Sequence, residues 1–173
     1  MKSIRLILGQ WSLVLLVLSL IMPESRAQVL AKPKGPVVLT VSGQISQHNL
    51  GNTAVFDAAM LQALPVQELI TRTPWEKNVM TFSGPSLKAL LHTVGSRGKT
   101  IRLSALDNYE ASVPMDDVTR FDPVLAIRVD GKPLTIRSRG PVRVMYPFDH
   151  FPEINIELYS GRAVWQLQHI VVE

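Results

Sequence analysis

The 173-residue chain contains no cysteine, so whatever it folds into must be held together by packing alone. Small secreted domains with thin cores commonly rely on disulfides instead. The same absence excludes thiolate metal sites, iron–sulfur clusters and cysteine nucleophiles. No GxGxxG, P-loop or GxSxG motif occurs either, which leaves dinucleotide folds, P-loop enzymes and the α/β-hydrolase elbow without a sequence signal.

The first residues carry an address. Lys2 and Arg5 precede an apolar run from Leu6 to Met22, Pro23 ends it, and Ser25-Arg26-Ala27 supplies small residues at the two positions a signal peptidase reads. A basic n-region, a short apolar h-region and a small-x-small site form the secretory pattern. The run is interrupted by Gly9, Gln10, Ser12 and Ser19, and a membrane span wants about 20 apolar residues. Residues 1–27 are therefore expected to be a Sec-type signal peptide, 28–36 a tether and 37–173 one domain, periplasmic in a bacterium with two membranes. The leader takes Lys2, Arg5, Arg26 and Glu24 with it, and so half of the +4 formal charge. What remains is scattered, without a basic block, and nucleic-acid binding has no support.

The rest of the chain reads as short elements between turn residues. Val37–Val41 is β-branched and strand-like. Asp57 is placed to cap a helix over Ala58–Leu64, which Pro65 stops. Val66–Thr73 alternates as a half-buried strand, and Pro74–Thr81 is a loop around Trp75. Pro85 is expected in the first turn of a helix whose apolar face is Leu87, Leu90, Leu91 and Val94, with Gly95 closing it. Thr100–Ala105, Tyr109–Val113, Val124–Val129, Pro133–Ile136, Val142–Tyr146 and a long Ala163–Val172 are strand candidates, with a tight turn at Asp130-Gly131. Met115–Arg120 reads as a short helix or turn, and Ile154–Tyr159 as strand or helix. Many short strands with two or three short helices make an α+β class.

Several residue groups could carry chemistry. Asp149 and His150 could pair as carboxylate and imidazole, although a turn with exposed polar groups is the plainer reading, since no histidine shows metal-ligand spacing. Arg139 and Arg143 flank the Gly140 turn and could bind a carboxylate, sulfate or phosphate, or be neutralised by local acids. Asp116, Asp117 and Asp122 fit no calcium loop and read as a helix cap and solvated face. Trp165 is expected in the core, whereas Trp75 sits in a loop as a lid or a stacking platform.

Read in order, the motifs form a series: a first strand ending in VSG, FDxxxLxxLP over Phe56–Pro65, ELITRTPW over Glu68–Trp75 and FSGxSLxxLL over Phe82–Leu91. Then come DNYxxxVP over Asp107–Pro114, LAIRVDGKPL over Leu125–Leu134, RGPVRVMYP over Arg139–Pro147 and VWQLxxIVV over Val164–Val172. This series resembles the molybdopterin-binding domain of the sulfite oxidase family of oxidoreductases. The resemblance implies an α+β fold with a mixed, partly barrel-like sheet and, in active members, a pterin-bound molybdenum held by a cysteine thiolate in the loop after the ELIT-like strand. Here Thr73 stands near that place, and a neutral hydroxyl is a poor ligand for such a centre. The n-region also lacks the arginine pair of the twin-arginine route, which carries folded cofactor proteins.

The expected function is thus an exported domain of this fold that works without molybdenum. It would bind a small anionic ligand, or a membrane-bound signalling or redox partner, in a cleft lined by Thr73, Trp75, Asn108, Tyr109, Arg143 and Tyr146. No cofactor is expected, molybdopterin being implied by the resemblance alone. The alternative is a molybdopterin-dependent oxidoreductase with a non-cysteine metal ligand, or a hydrolase using Asp149 and His150. Mass spectrometry of protein exported by its own host should find the N-terminus near Gln28; a chain that keeps Met1 would be anchored instead.

Overall fold

In the computed structural model, residues 30–173 are described, so the leader and the start of the tether lie outside them. The first strand, β1 (Val37–Gly43), forms from the β-branched run and buries Leu39 and Val41 completely. A turn at Asn49–Asn52 returns the chain into β2 (Ala54–Asp57), which is buried throughout. Asp57 ends β2 and caps α1 (Ala58–Ala63), its carboxylate accepting from the Met60 amide at 2.8 Å. The same carboxylate accepts from the amides of Lys34 and Gly35 at 2.7 and 2.9 Å, which pins the tether to the domain. These backbone donors, Met60 foremost, hold the Asp57 carboxyl below its usual range.

Pro65 ends α1 as the sequence predicts, and β3 (Val66–Thr71) and β4 (Met80–Pro85) follow as an antiparallel pair. Pro85 lies at the end of β4 opposite Val66, not inside a helix. A terminal strand position tolerates its missing amide. Ser86 then caps α2 (Leu87–Thr93) by accepting from the Ala89 amide at 3.0 Å, and Leu87, Leu90 and Leu91 face the core as expected.

β5 (Thr100–Ala105) and β6 (Glu110–Pro114) form a hairpin, followed by α3 (Met115–Phe121). The expected strand Val124–Val129 is split: β7 (Val124–Ala126) and β8 (Arg128–Val129) join different sheets on either side of Ile127. Asp130 and Gly131, with φ of 48° and 74°, make the tight turn into β9 (Lys132–Pro133). A short 3-10 turn, Ile136–Ser138, leads to β10 (Arg143–Met145). The ambiguous Ile154–Tyr159 stretch resolves as the end of a 3-10 turn, Pro152–Ile154, and the start of α4 (Glu157–Arg162). The last strand, β11, is shorter than predicted, Leu167–Val172, because Gln166 takes φ of 50° and turns the chain.

These strands make three sheets. The largest has the order β2-β1-β11-β5-β6, in which β1 and β11 run parallel and every other neighbour is antiparallel. The second is the antiparallel β3-β4-β8-β9, and β10 pairs with β7 in the third. The fold is α+β with mixed sheets, and among the described residues no sheet closes into a barrel. Leu103, Ile101, Ile170, Leu125, Phe56 and Phe82 lie in one continuous core. Side chains of this kind stabilise by about 1.5–3 kcal/mol each when fully buried. No helix of the described residues is long and apolar enough to cross a membrane.

One close approach ties two sheets together. Gly84 of β4 faces the Leu125 backbone of β7 so tightly that a Cβ would overlap the Leu125 carbonyl oxygen. Backbone cannot give way as a side-chain tip can, and overpacking of this kind typically costs about 1–3 kcal/mol. Gly84→Ala should therefore lower the unfolding free energy by about that amount, read as a lower urea midpoint at unchanged m-value, while Gly35→Ala, whose Cβ would meet nothing closer than 3.6 Å, should cost less.

Candidate functional site

Between β3 and β4 the chain leaves the sheet through the loop Arg72–Val79. Thr71 at the end of β3 is fully buried, and its hydroxyl accepts from the Asp149 amide at 3.1 Å. Asp149 in turn accepts from the Arg72 amide at 2.8 Å, so both ends of the contact tie this loop to the one following β10. Asp149 is occupied in this way, and His150 shows no hydrogen bond to it. The carboxylate–imidazole pair is not formed.

Two residues on, Thr73 is buried and organises the turn. Its hydroxyl donates to the Glu76 carboxylate and accepts from the amides of Trp75 and Glu76 at 3.3 and 3.0 Å. That turn throws Glu76 inward. One carboxylate oxygen binds Arg139, and the other lies 3.4 Å from Nη2 of Arg143. The two arginines anticipated as an anion pair thus share a carboxylate of the protein itself. Glu76 was not singled out by sequence; the available signal was a lone acid in a loop otherwise carrying Arg72 and Lys77.

Arg143 is the unusual member. It opens β10, paired with Ala126, and is 2% exposed. Its guanidinium carbon lies 5.2–5.5 Å from the ring centroids of Trp75, Phe82 and Trp165. Aromatic faces attract a cation electrostatically, and together with Glu76 they replace part of its lost hydration. They do not satisfy every donor: Nε is buried without a hydrogen-bond partner, as is Nε1 of Trp165. Burial pulls the Arg143 guanidinium below its ordinary value, with Glu76 opposing. For Glu76, burial pushes the carboxyl up, but Thr73, Arg143 and Arg139 together outweigh it and hold it below the ordinary range.

Outside this charged layer lies a groove. Trp75 and Trp165 meet edge to face with centroids 5.0 Å apart, and Arg139 stacks 4.0 Å over Trp165. Trp165 belongs to this wall and not to the strand core expected for it. Both tryptophans, with Tyr109, Asp107 and Gly161, line a mostly apolar cavity of about 270 Å³. A second, more open hollow of about 640 Å³ shares Trp75 and Tyr109 and continues past Arg162. The Tyr109 hydroxyl donates to the Gly161 carbonyl at 3.1 Å between the two.

The six expected site residues therefore divide. Trp75 and Tyr109 line the groove, and Thr73 and Arg143 lie beneath it through Glu76. Asn108 is exposed in the β5–β6 turn with φ of 67° and lines neither hollow. Tyr146 is fully buried among Phe121, Phe148 and Tyr159, its hydroxyl unpartnered and burial pushing its pKa far up. Asp117 pairs with Arg162 at 2.5 Å, and Asp122 closes α3, accepting from Gln67 at 3.2 Å. Both aspartates have structural roles.

The model of the oxidoreductase molybdopterin binding domain matches residues 50–150, so the chain belongs to this family. No curated protein matches it. Membership implies a molybdopterin-binding site. The Thr73 hydroxyl, near the place of the expected thiolate, already donates to one group and accepts from two, and a neutral hydroxyl so engaged is a poor ligand for a molybdenum centre.

Glu76→Gln should destabilise the domain by about 1–3 kcal/mol at pH 7, because Arg143 loses its counter-charge in a buried site. A depressed carboxyl stabilises above its unfolded value, near 4.5, and that contribution fades as pH falls through the lower folded value. Urea unfolding at pH 7 and pH 3 should accordingly show a gap between wild type and variant that narrows in acid.

Proposed function

We propose that this family member is an exported binding module that works without molybdenum and takes a small anionic ligand at the arginine layer beneath the Trp75–Tyr109 groove. One observation carries the reading: Arg143 is almost wholly buried and keeps a donor without a partner. Buried polar groups are nearly always satisfied, and an acceptor entering between Arg143, Arg139 and Trp165 would satisfy it. The apolar groove above would hold the body of such a ligand, as small-molecule sites usually combine apolar walls with a few polar groups.

Three further features support the reading. The hydroxyl standing near the expected thiolate is engaged inside its own turn. The sequence holds no cysteine to replace it. The leader is of the kind that threads an unfolded chain, which suits a domain needing no cofactor inserted beforehand. In this role the domain would stand beyond the membrane and report ligand occupancy to a membrane-bound signalling or redox partner.

Family membership favours a second reading, a molybdopterin-dependent oxidoreductase with an oxygen ligand. It would require Thr73 to exchange Glu76 for the metal. Protein purified from its own host decides between them. Elemental analysis should find well under one molybdenum per chain and pterin fluorescence should be absent; one equivalent of molybdenum would overturn the binding-module reading.

A further inference from the structure

The anion site is already filled from within. Glu76 makes with Arg139 and Arg143 the contacts that a ligand carboxylate would make. Its grip on Arg143 is a single contact at 3.4 Å, and the neighbouring Nε stays unpartnered. A ligand carboxylate or sulfate, unconstrained by a backbone, can approach a guanidinium through two parallel hydrogen bonds, which is the stronger geometry.

The loop that carries Glu76 is held lightly. Between Thr73 and Val79 its amides make no backbone–backbone hydrogen bond to the rest of the described chain, and Trp75 and Glu76 bond only to Thr73 of the same loop. Pro74, Trp75, Lys77, Asn78 and Val79 are exposed. The start of the loop is held by the Arg72 amide on Asp149; beyond it, what ties the loop to the body is the Glu76 carboxylate on the arginines and the Trp75 ring against Trp165, Phe148 and the Arg143 guanidinium. Losing the carboxylate contact leaves the ring as the main hold.

We propose that Glu76 is an intramolecular competitor: a small carboxylate or sulfate binds Arg139 and Arg143 by displacing it, and so releases the Trp75 loop. This rests on the anion-binding reading above and adds the gate to it. Binding is then linked to loop position, since a ligand shifts an equilibrium only by preferring one of its states. The released loop would be the surface that changes for a partner.

The test compares the full mature chain with its Glu76→Gln and Glu76→Asp variants, titrated with benzoate and, separately, with sulfate. Readouts are tryptophan fluorescence and melting temperature. Gln keeps the shape and removes the competing charge; Asp keeps the charge one methylene short and serves if the Gln variant folds poorly. Either variant should bind at least one probe ten or more times more tightly than wild type, and the probe should raise its melting temperature by mass action. Benzoate bound over sulfate would place the ring in the apolar groove; sulfate alone would restrict the site to the arginine layer, and either result supports the gate. Arg139→Gln added to Glu76→Gln should remove the gain. Equal binding by wild type and variants would overturn the gate and leave the anion site standing. No binding by any of them would overturn both.

Discussion

A guanidinium taken out of water is the constraint on which the centre of this molecule depends. Desolvating one charge costs several kcal/mol even after the protein relaxes. Arg143 is 2% exposed, so its surroundings must return that loss. They do so from separate parts of the chain: Glu76 from the β3–β4 loop, Phe82 from β4, and Trp75 and Trp165 from the two walls of the groove. The buried guanidinium therefore gathers more than its ion-pair partner. Around it gather the inward turn that Thr73 shapes, the Trp75 ring and Trp165 just before β11, and the groove is the outer face of that arrangement.

The legibility of this structure in its sequence follows the range of the forces. Local chemistry was readable. Asp57 caps α1, the α2 face buries Leu87, Leu90 and Leu91, and Asp130-Gly131 turns the chain. Each depends on residues within a few positions. Errors fell where a distant contact decided. Gly84 and Pro85 looked like a helix start, but the close approach to Leu125 keeps them in β4. Val124–Val129 alternated like one strand, but β10 and β4 claim its two halves. Ala163–Val172 looked continuous until Gln166 bent it away, placing Trp165 beside the groove. The candidate site was half visible for the same reason. Arginines and tryptophans announce themselves by type, whereas Glu76 became meaningful only when folding brought it to residues 63 and 67 positions away.

The family fold is retained, and the loop after β3 carries a hydrogen-bonded turn of its own. A threonine at such a place could be a neutral relic facing solvent. Instead Thr73 is buried and carries three hydrogen bonds that shape the turn. Polar groups in such settings contribute through the arrangement they enforce as much as through their own energy. The turn at Thr73 is thus built into the loop, and Glu76 completes it by meeting the arginines.

The strand order of the largest sheet has a kinetic consequence. β11 lies between β1 and β5, yet it is the last strand along the described chain. Its pairing with β1 joins Thr40 to His169 across most of the domain. Such non-local pairing is slow because the intervening chain must be closed before the contact forms. Until residue 172 has been delivered, β1 and β5 have no strand to join them, and the core beneath them stays open. For a chain made from its N-terminus onward, topology itself postpones folding. The central sheet acts as a delay line, keeping the polypeptide pliable until nearly all of it has been delivered.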